Sequence, residues 1–393
     1  MKDWKEALAG LKQENLFRET CSYAPEDAVH VRLEGRSYLL LASNNYLGLT
    51  HSPAVKEAAR AAIDRWGTGS GGARLTTGSH PLYAELETEL ARFKGTEAAV
   101  VFNTGYMANV GTISAVAGSG DVIFSDALNH ASIIDGCRLS KARTVIFRHN
   151  DMPHLAACLA QVPCTGQRLI VVDGVFSMDG DMAPLKEITQ LAERYSALVM
   201  VDEAHAAGVI GPAGAGAAAY WGVKDRISIH MGTLSKALAS EGGYVAGSRE
   251  LIAYLVNKAR SFIFSTALSP ASVAAALAAL RELKKQPDLA ERLLSNAQFV
   301  RRQLIDAGFA VSREPTPIIP VMVGSAAKAV QLSQALKEAG ILISAIRPPT
   351  VPPDASRLRL TVSAAHEQTE LAAAVQKIAK AAQDLGVLKG GSI

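Results

Sequence analysis

Between about residues 96 and 250, one theme repeats: a short apolar run without polar alternation, closed by small or polar residues and followed by a segment with helical spacing. The runs are "EAAVVFNTG", "DVIFSDA", "TVIFRHN", "RLIVVDGVFSM", "ALVMVDEAH" and "ISIHMGTLSK". Runs of this kind suit strands covered on both faces, so the pattern predicts an α/β domain with a doubly wound, mostly parallel sheet. Helices such as "PLKEITQLAERYS" fill the intervals. Upstream, "SPAVKEAARAAIDRWG" reads as a helix with Ser52 as N-cap and Pro53 at its first position. From about Pro270 an Ala/Leu-rich helical stretch leads into "PTPIIPVMVG", "LKEAGILISAIRPPTVPP" and "SRLRLTVSAAH", which mix helices, strands and proline-marked turns. The expected division is an N-terminal arm over 1–48, a large domain over 49–270 and a smaller α+β C-terminal domain over 271–393.

In an open parallel sheet ligands collect beyond the carboxyl ends of the strands, so the polar residues closing each run should converge. That rule selects Thr104 to Tyr106, His130, Ser177, Asp202, His205 and Lys236. Lys236 is the only permanently charged side chain between Ile227 and Ser240. A lysine in such surroundings reaches solvent, finds a distant partner, or gives up its proton and becomes a nucleophile. Asp202 closes "ALVMVD", a buried type of strand, and a carboxylate there needs a partner. Two arrangements satisfy both residues. One is a structural ion pair; the other places them on opposite sides of a planar cofactor, the acid on a pyridinium nitrogen and the lysine on an aldehyde carbon. "VVFNTGYMANVGTI" would bring free amides and the positive end of a helix dipole to a phosphate, and Thr233 adds a hydroxyl three residues before Lys236. Taken singly, His130 and His205 read as structural histidines; it is the constellation that points to a site.

Composition removes several classes. With 49% apolar and 20% charged residues among 393, the chain suits a sizeable folded core. Its 40 basic and 37 acidic side chains leave a net charge of +3, too small and too scattered for a nucleic-acid footprint. Cys21, Cys137, Cys158 and Cys164 form no CxxC pair and no metal-like spacing, so neither a disulfide framework nor a metal is expected. The opening "MKDWKEALAGLKQENLF" alternates charge and apolar residues at helical spacing, unlike a secretion signal, and no apolar run approaches the roughly 18 residues of a membrane span. A cytoplasmic protein without a membrane partner is expected. Three motif-like strings carry little. "GTGSGG" at Gly67–Gly72 follows a helix, "DEAH" at Asp202–His205 lacks a phosphate loop elsewhere, and "SMDGD" at Ser177–Asp181 lacks a calcium loop's glutamate.

At these residues the chain resembles the α-oxoamine synthases, pyridoxal-phosphate enzymes of the aspartate-aminotransferase fold (fold type I). The matches run from "LASNNYLGL" through "GSGGARLTTGSH", "NTGYMANVG", "DALNHASIIDG", "VFSMDGD", "VDEAHAAGVIG", "GTLSKAL" and "FIFSTALSP" to "SRLRLTVSAAH". The segment "ISAIRPPTVPPDASRLRLT" is most similar to the branch that condenses L-alanine with a pimeloyl thioester, carried by CoA or a carrier protein, with loss of CO2. The resemblance implies that Lys236 forms the Schiff base with pyridoxal 5'-phosphate and later acts as base, and that Asp202 pairs with the pyridine nitrogen. His205 and Ser177 would lie near the phenolic oxygen, and Gly105, Tyr106 and Thr233 at the phosphate. His130 would stack over the ring, and we expect it, as a reading of our own, to assist at the acyl carbonyl. Thr266 would reach a neighbouring subunit's phosphate, which implies a homodimer with shared sites. Arg359 would hold the amino-acid carboxylate with Asn44 close by, and Arg18 and Thr350 would contact the acyl substrate. Relatives that use glycine with acetyl-CoA, an aminotransferase on the same fold, and a binding protein without chemistry are the competing readings. Arg74 in "GGARLTTGS" departs from some members of the branch.

Overall fold

All six apolar runs become strands of one sheet in the computed structural model, which describes residues 3–14 and 16–388. In chain order they are β1 (Ala98–Phe102), β2 (Val122–Asp126), β3 (Arg143–Phe147), β4 (Arg168–Asp173), β5 (Ala197–Asp202) and β6 (Ile229–Thr233). A seventh, β7 (Gly243–Gly247), completes the spatial order β1-β7-β6-β5-β4-β2-β3. The pairings among β2 to β6 are parallel, and β7 alone runs antiparallel, to β1 on one side and β6 on the other. The expected α/β, mostly parallel architecture is therefore present. β7, "GYVAG", escaped the pattern because the glycines at its two ends leave only Tyr244, Val245 and Ala246 as an apolar run. Close approach requires one of them: a Cβ at Gly243 would lie 2.6 Å from the Thr104 carbonyl oxygen and 2.7 Å from the Gly105 nitrogen.

The central strands carry no polar alternation because both faces are covered. Val171, Met200, Ile229, Met231 and Val245 share one core cluster with Val100, Phe102 and Ile113. Each such large side chain contributes roughly 1.5–3 kcal/mol when taken out of water. Helix α1 (Gly105–Val116) follows β1, and helix α2 (Ala131–Leu139) follows β2 and packs against α1. α1 buries Ala108, Asn109, Gly111, Thr112 and Ile113, so it shows no simple polar face.

The chain divides into two compact units. The larger holds Leu47–Ser177 and Asp181–Glu291; the other holds the described residues up to Tyr46, Met178–Gly180 and those from Arg292 onward. The helix Pro270–Lys285 stays with the larger unit, beyond the expected boundary at 270, because it packs on the helices Pro53–Trp66 and Pro81–Lys94. In the smaller unit, the strands Ala24–Pro25, His30–Leu33 and Arg36–Leu40 form a sheet with Ile341–Leu342, so the N-terminal segment is built into the C-terminal unit. A second sheet there pairs Ser356–Thr361 with Ile318–Gly324 and Ser344–Ile346, all antiparallel. No helix among the described residues is long and apolar enough to cross a membrane.

A charged clamp fixes the outer end of the large sheet. His149 Nδ1 bonds Asp126 Oδ1 at 2.8 Å and its Nε2 bonds Asp181 Oδ2 at 2.7 Å. Burial alone would lower this imidazole's pKa, but the hydrogen bonds and charges of Asp126 and Asp181 outweigh it and raise the pKa from 6.5 to about 10. The raised value means the clamp's stability is complete below pH 6.5 and is lost as pH rises through about 10. His149→Gln should therefore cost on the order of a few kcal/mol at pH 6 and much less near pH 10. Urea unfolding at the two pH values checks this, and an equal cost at both would refute it.

Candidate active site

The carboxyl ends of β4, β5 and β6 and the start of α1 enclose a cavity of about 200 Å³ in the larger unit. Gly105, Tyr106, His130, Ser177, Asp202, His205, Thr233 and Lys236 all line it. Residues up to 131 positions apart in sequence thus meet because parallel strands deliver their carboxyl ends to one edge. Thr266 lies outside this lining; its segment forms an isolated antiparallel bridge to Ala73, and its carbonyl accepts a bond from Asn103.

Asp202 ends β5 at 3% exposure. Its Oδ2 accepts from Asn109 Nδ2 at 2.7 Å and its Oδ1 from the Ala204 amide at 2.8 Å. The next residue, Glu203, is fully buried and bonded to Lys94 and to the Ala218 amide at 2.9 Å. Burial alone would raise Glu203, but Lys94 and His230 more than offset it and hold the carboxyl down to about 2. This buried pair anchors the turn that carries Asp202 and His205 to the helix Pro81–Lys94. Removing one partner of such a pair costs about 3–5 kcal/mol because the other charge is left stranded.

His130 is the N-cap of α2. Its backbone N–H donates to Asp173 Oδ2 at 2.7 Å, and its Nδ1 lies 2.7 Å from Ser132 Oγ. Desolvation in the cavity pushes the imidazole below its usual range; Asp202 pulls it up and Lys236 pushes it further down. Asp173 stands beside Asp202 in the β4–β5 register. Burial, and then the neighbouring Asp202 charge, push the Asp173 carboxyl well above the carboxylate range. Of the two adjacent acids, Asp173 is therefore the one disposed to keep its proton.

At the other end, Thr104 caps α1 through Oγ1, which accepts from the Met107 amide at 3.0 Å. The Gly105 and Tyr106 amides in the first turn have no carbonyl one turn back to bond, so they and the helix dipole form an anion cradle. A Cβ at Gly105 would sit 3.2 Å from Met231 Cε and 3.4 Å from Thr233, so glycine keeps the cradle close to β6. Thr233 Oγ1 donates to the Gly242 carbonyl at 2.9 Å and accepts from the Ser235 amide at 3.2 Å. The Tyr106 hydroxyl bonds Asp135. This donor set fits pyridoxal phosphate: amides for the phosphate, a buried carboxylate for the ring nitrogen, and a lysine and an imidazole between them.

The cavity also contains Asn109, Ser132, Asp173 and Ser235, which the sequence reading did not single out. Asp173 carried a signal, since it closes "RLIVVD" just as Asp202 closes "ALVMVD".

In the smaller unit, Arg359 is 6% exposed on Ser356–Thr361. Its NH1 donates to Asn44 Oδ1 at 3.2 Å and its NH2 to the Tyr46 hydroxyl at 3.5 Å, while Tyr46 donates to Asn44 Oδ1 at 3.1 Å. Tyr46 is an addition to the expected pair. Arg357, two residues before on the same strand, is occupied by Asp179. Arg18 NH2 donates to the Pro348 carbonyl at 3.2 Å, which brings it to the loop containing Thr350. Arg74, in the larger unit, forms a bidentate pair with Glu87 at 2.9 and 3.2 Å and stacks 3.6 Å from the Tyr83 ring centre. Arg74 is thereby engaged in packing within the larger unit. The acids of "SMDGD" are likewise engaged, Asp179 by Arg357 and Asp181 by His149.

Comparisons with known proteins bear on the family and the fold. The sequence profile described as aminotransferase class I and II matches residues 36–378. An 8-amino-7-oxononanoate synthase from Geotalea daltonii is 50% identical over 390 residues, 98% of this chain and 99% of that protein. One of the same name from Lysinibacillus sphaericus is 47% identical over 385 residues, 98% of this chain and 99% of that protein. A solved serine palmitoyltransferase from S. paucimobilis with bound PLP–myriocin aldimine has a TM-score of 0.94 at 33% identity, covering 98% of this chain and 100% of that one. The 8-amino-7-oxononanoate synthase from Francisella tularensis has a TM-score of 0.75 at 28% identity, covering 88% and 98%.

Proposed function

This chain belongs to the class I and II aminotransferase family, and on that premise we propose that it joins L-alanine to a pimeloyl thioester to give 8-amino-7-oxononanoate, CO2 and free CoA. The observation that carries the proposal is the meeting of Lys236, Asp202 and His130 in one cavity beside the amide cradle at Gly105 and Tyr106. The relatives at 47–50% identity over nearly the full chain supply the reaction.

Pyridoxal phosphate, when bound, supplies an electron sink for charge left on the amino acid's α-carbon. The chain's residues do the rest. Lys236 Nζ would hold the cofactor at its aldehyde carbon, and its amine would be the base that takes the proton from alanine Cα and the acid that returns it. Asp202 would pair with the ring nitrogen and favour its protonated form. The Gly105 and Tyr106 amides would hold the phosphate with Thr233 at the same end, and His205 and Ser177 would lie near the phenolic oxygen. His130 would cover the ring face and steady the acyl carbonyl while the thiol departs. Arg359, kept in place by Asn44 and Tyr46, offers its planar fork to the alanine carboxylate. Arg18 and Thr350 receive the acyl chain. We place the enzyme in the cytoplasm as a homodimer in which Thr266 completes the partner's phosphate site.

The test is a grid of alanine and glycine against pimeloyl-CoA and acetyl-CoA, read as CoA release. Turnover confined to alanine with pimeloyl-CoA supports the proposal. Turnover of glycine with acetyl-CoA assigns a glycine acetyltransferase instead, and amino-group transfer without CoA release assigns an aminotransferase. Within the same assay, Arg359→Lys should raise the alanine KM about 10- to 100-fold, since a point charge replaces two parallel charge-assisted bonds. An unchanged KM would remove Arg359 from the carboxylate site.

A further inference from the structure

We propose that Asn109 and Ser132 are positioning residues that fix which nitrogen of the His130 ring carries its proton, through a directed hydrogen-bond chain that starts at Asp202. Only the kinetic consequence rests on the function proposed above. Asn109 on α1 and Ser132 on α2 are each 1% exposed. Asn109 Nδ2 donates to Asp202 Oδ2 at 2.7 Å and to Ser132 Oγ at 2.8 Å. An ionised carboxylate only accepts, so the Asn109 amide must turn its NH2 toward Asp202. Turned the other way, Oδ1 would face the carboxylate with no hydrogen between them. As placed, Oδ1 is the atom left without a partner.

Because Asn109 donates to Ser132 Oγ, the serine's own proton is directed to the acceptor 2.7 Å away, His130 Nδ1. The Ser132 amide reaches the same nitrogen at 3.3 Å. A backbone N–H can only donate, so Nδ1 is the proton-free nitrogen and the neutral ring carries its proton on Nε2. His130 thus meets the reacting acyl group as a donor from Nε2. In the opposite tautomer it would present a lone pair to an oxygen that is gaining negative charge. The carboxylate that serves the ring nitrogen also orients, through two buried side chains, the donor that serves the acyl carbonyl.

Imidazole-nitrogen NMR on the cofactor-free, full-length chain with ¹⁵N-labelled histidine reads the tautomer, with His130 assigned by its loss in His130→Asn. The unaltered protein should show a proton-free Nδ1. Ser132→Ala and Asn109→Leu should each shift the tautomer ratio toward Nδ1–H by roughly 2- to 10-fold, the effect of one hydrogen bond. Asn109→Asp keeps the size but has a single acid hydrogen; given to Asp202, it leaves only acceptors for Ser132, and the same shift is expected. Ser132→Thr keeps the hydroxyl and should leave the ratio unchanged. In the holoenzyme, Ser132→Ala and Asn109→Leu should lower kcat at least about 10-fold, with the alanine KM within about two-fold. An Nδ1–H tautomer in the unaltered protein, or an unmoved ratio in Ser132→Ala and Asn109→Leu, overturns the proposal. The spectrum of the unaltered protein decides even where a variant fails to fold. A tautomer as expected in a chain that releases no CoA keeps the relay and removes the function.

Discussion

Lys236→Ala is expected to lower CoA release by at least about 10,000-fold, the upper range of what a positioned base contributes, because the variant loses both the covalent hold on the cofactor and the base at Cα. The substitution should leave the fold intact. Lys236 is half-buried at the end of the β6 turn, where the Ser240 amide bonds the Leu234 carbonyl at 2.9 Å and the Ala239 amide bonds the Lys236 carbonyl at 3.1 Å. Those backbone bonds do not need the side chain. The direct measurement is borohydride reduction followed by peptide mapping: the pyridoxyl label should fall on the peptide containing Lys236 and vanish in the variant. A label elsewhere, or a variant retaining more than a few per cent of CoA release, would remove Lys236 from both roles.

Asp202→Asn should cost about 100-fold or more in kcat. A hydrogen bond to a charged partner is worth roughly 1.5–3 kcal/mol, and the low dielectric of a site with 3% exposure at this residue strengthens it. The substitution also turns the Asn109 contact from amide–carboxylate into amide–amide, so the His130 tautomer should move with it. Thermal unfolding of the cofactor-free variant should stay close to that of the unaltered protein, because the Ala204 amide can still bond the remaining side-chain carbonyl. A large drop in stability with kcat preserved would make Asp202 a structural acid and leave the ring nitrogen without its partner.

The strand-end residues were legible because they interrupt a one-dimensional pattern. Asp202 and Lys236 follow apolar runs, and a charge placed there is conspicuous. Asp173 follows the same rule, yet the glycine after it reads as ordinary turn chemistry, and the eye passes to Ser177. Asn109 left no trace at all. The helix that carries it buries residues around several faces, so a polar side chain pointing inward looks no different from one pointing out. β7 was hidden by its glycines, and the purpose of Gly243, room for the Gly105 cradle, exists only once the chain has folded back. The boundary near residue 291 was equally hidden, because the apolar face of Pro270–Lys285 is defined by the two helices it meets.

By itself the sequence determined the parallel sheet, the strand ends that gather the acid, the lysine and the histidine, and the resemblance that names the cofactor. All of these are written in local order: apolar runs, caps and contiguous motifs. The tertiary structure decided the electrostatic states. It pushes the Asp173 carboxyl well above the carboxylate range, spends Arg74 on Glu87, commits Glu203 to Lys94, and turns the His130 ring through Ser132. The pairs that set those states lie far apart in the chain, 93 residues for Asn109 and Asp202, and their energies depend on distance and desolvation, which local periodicity does not encode.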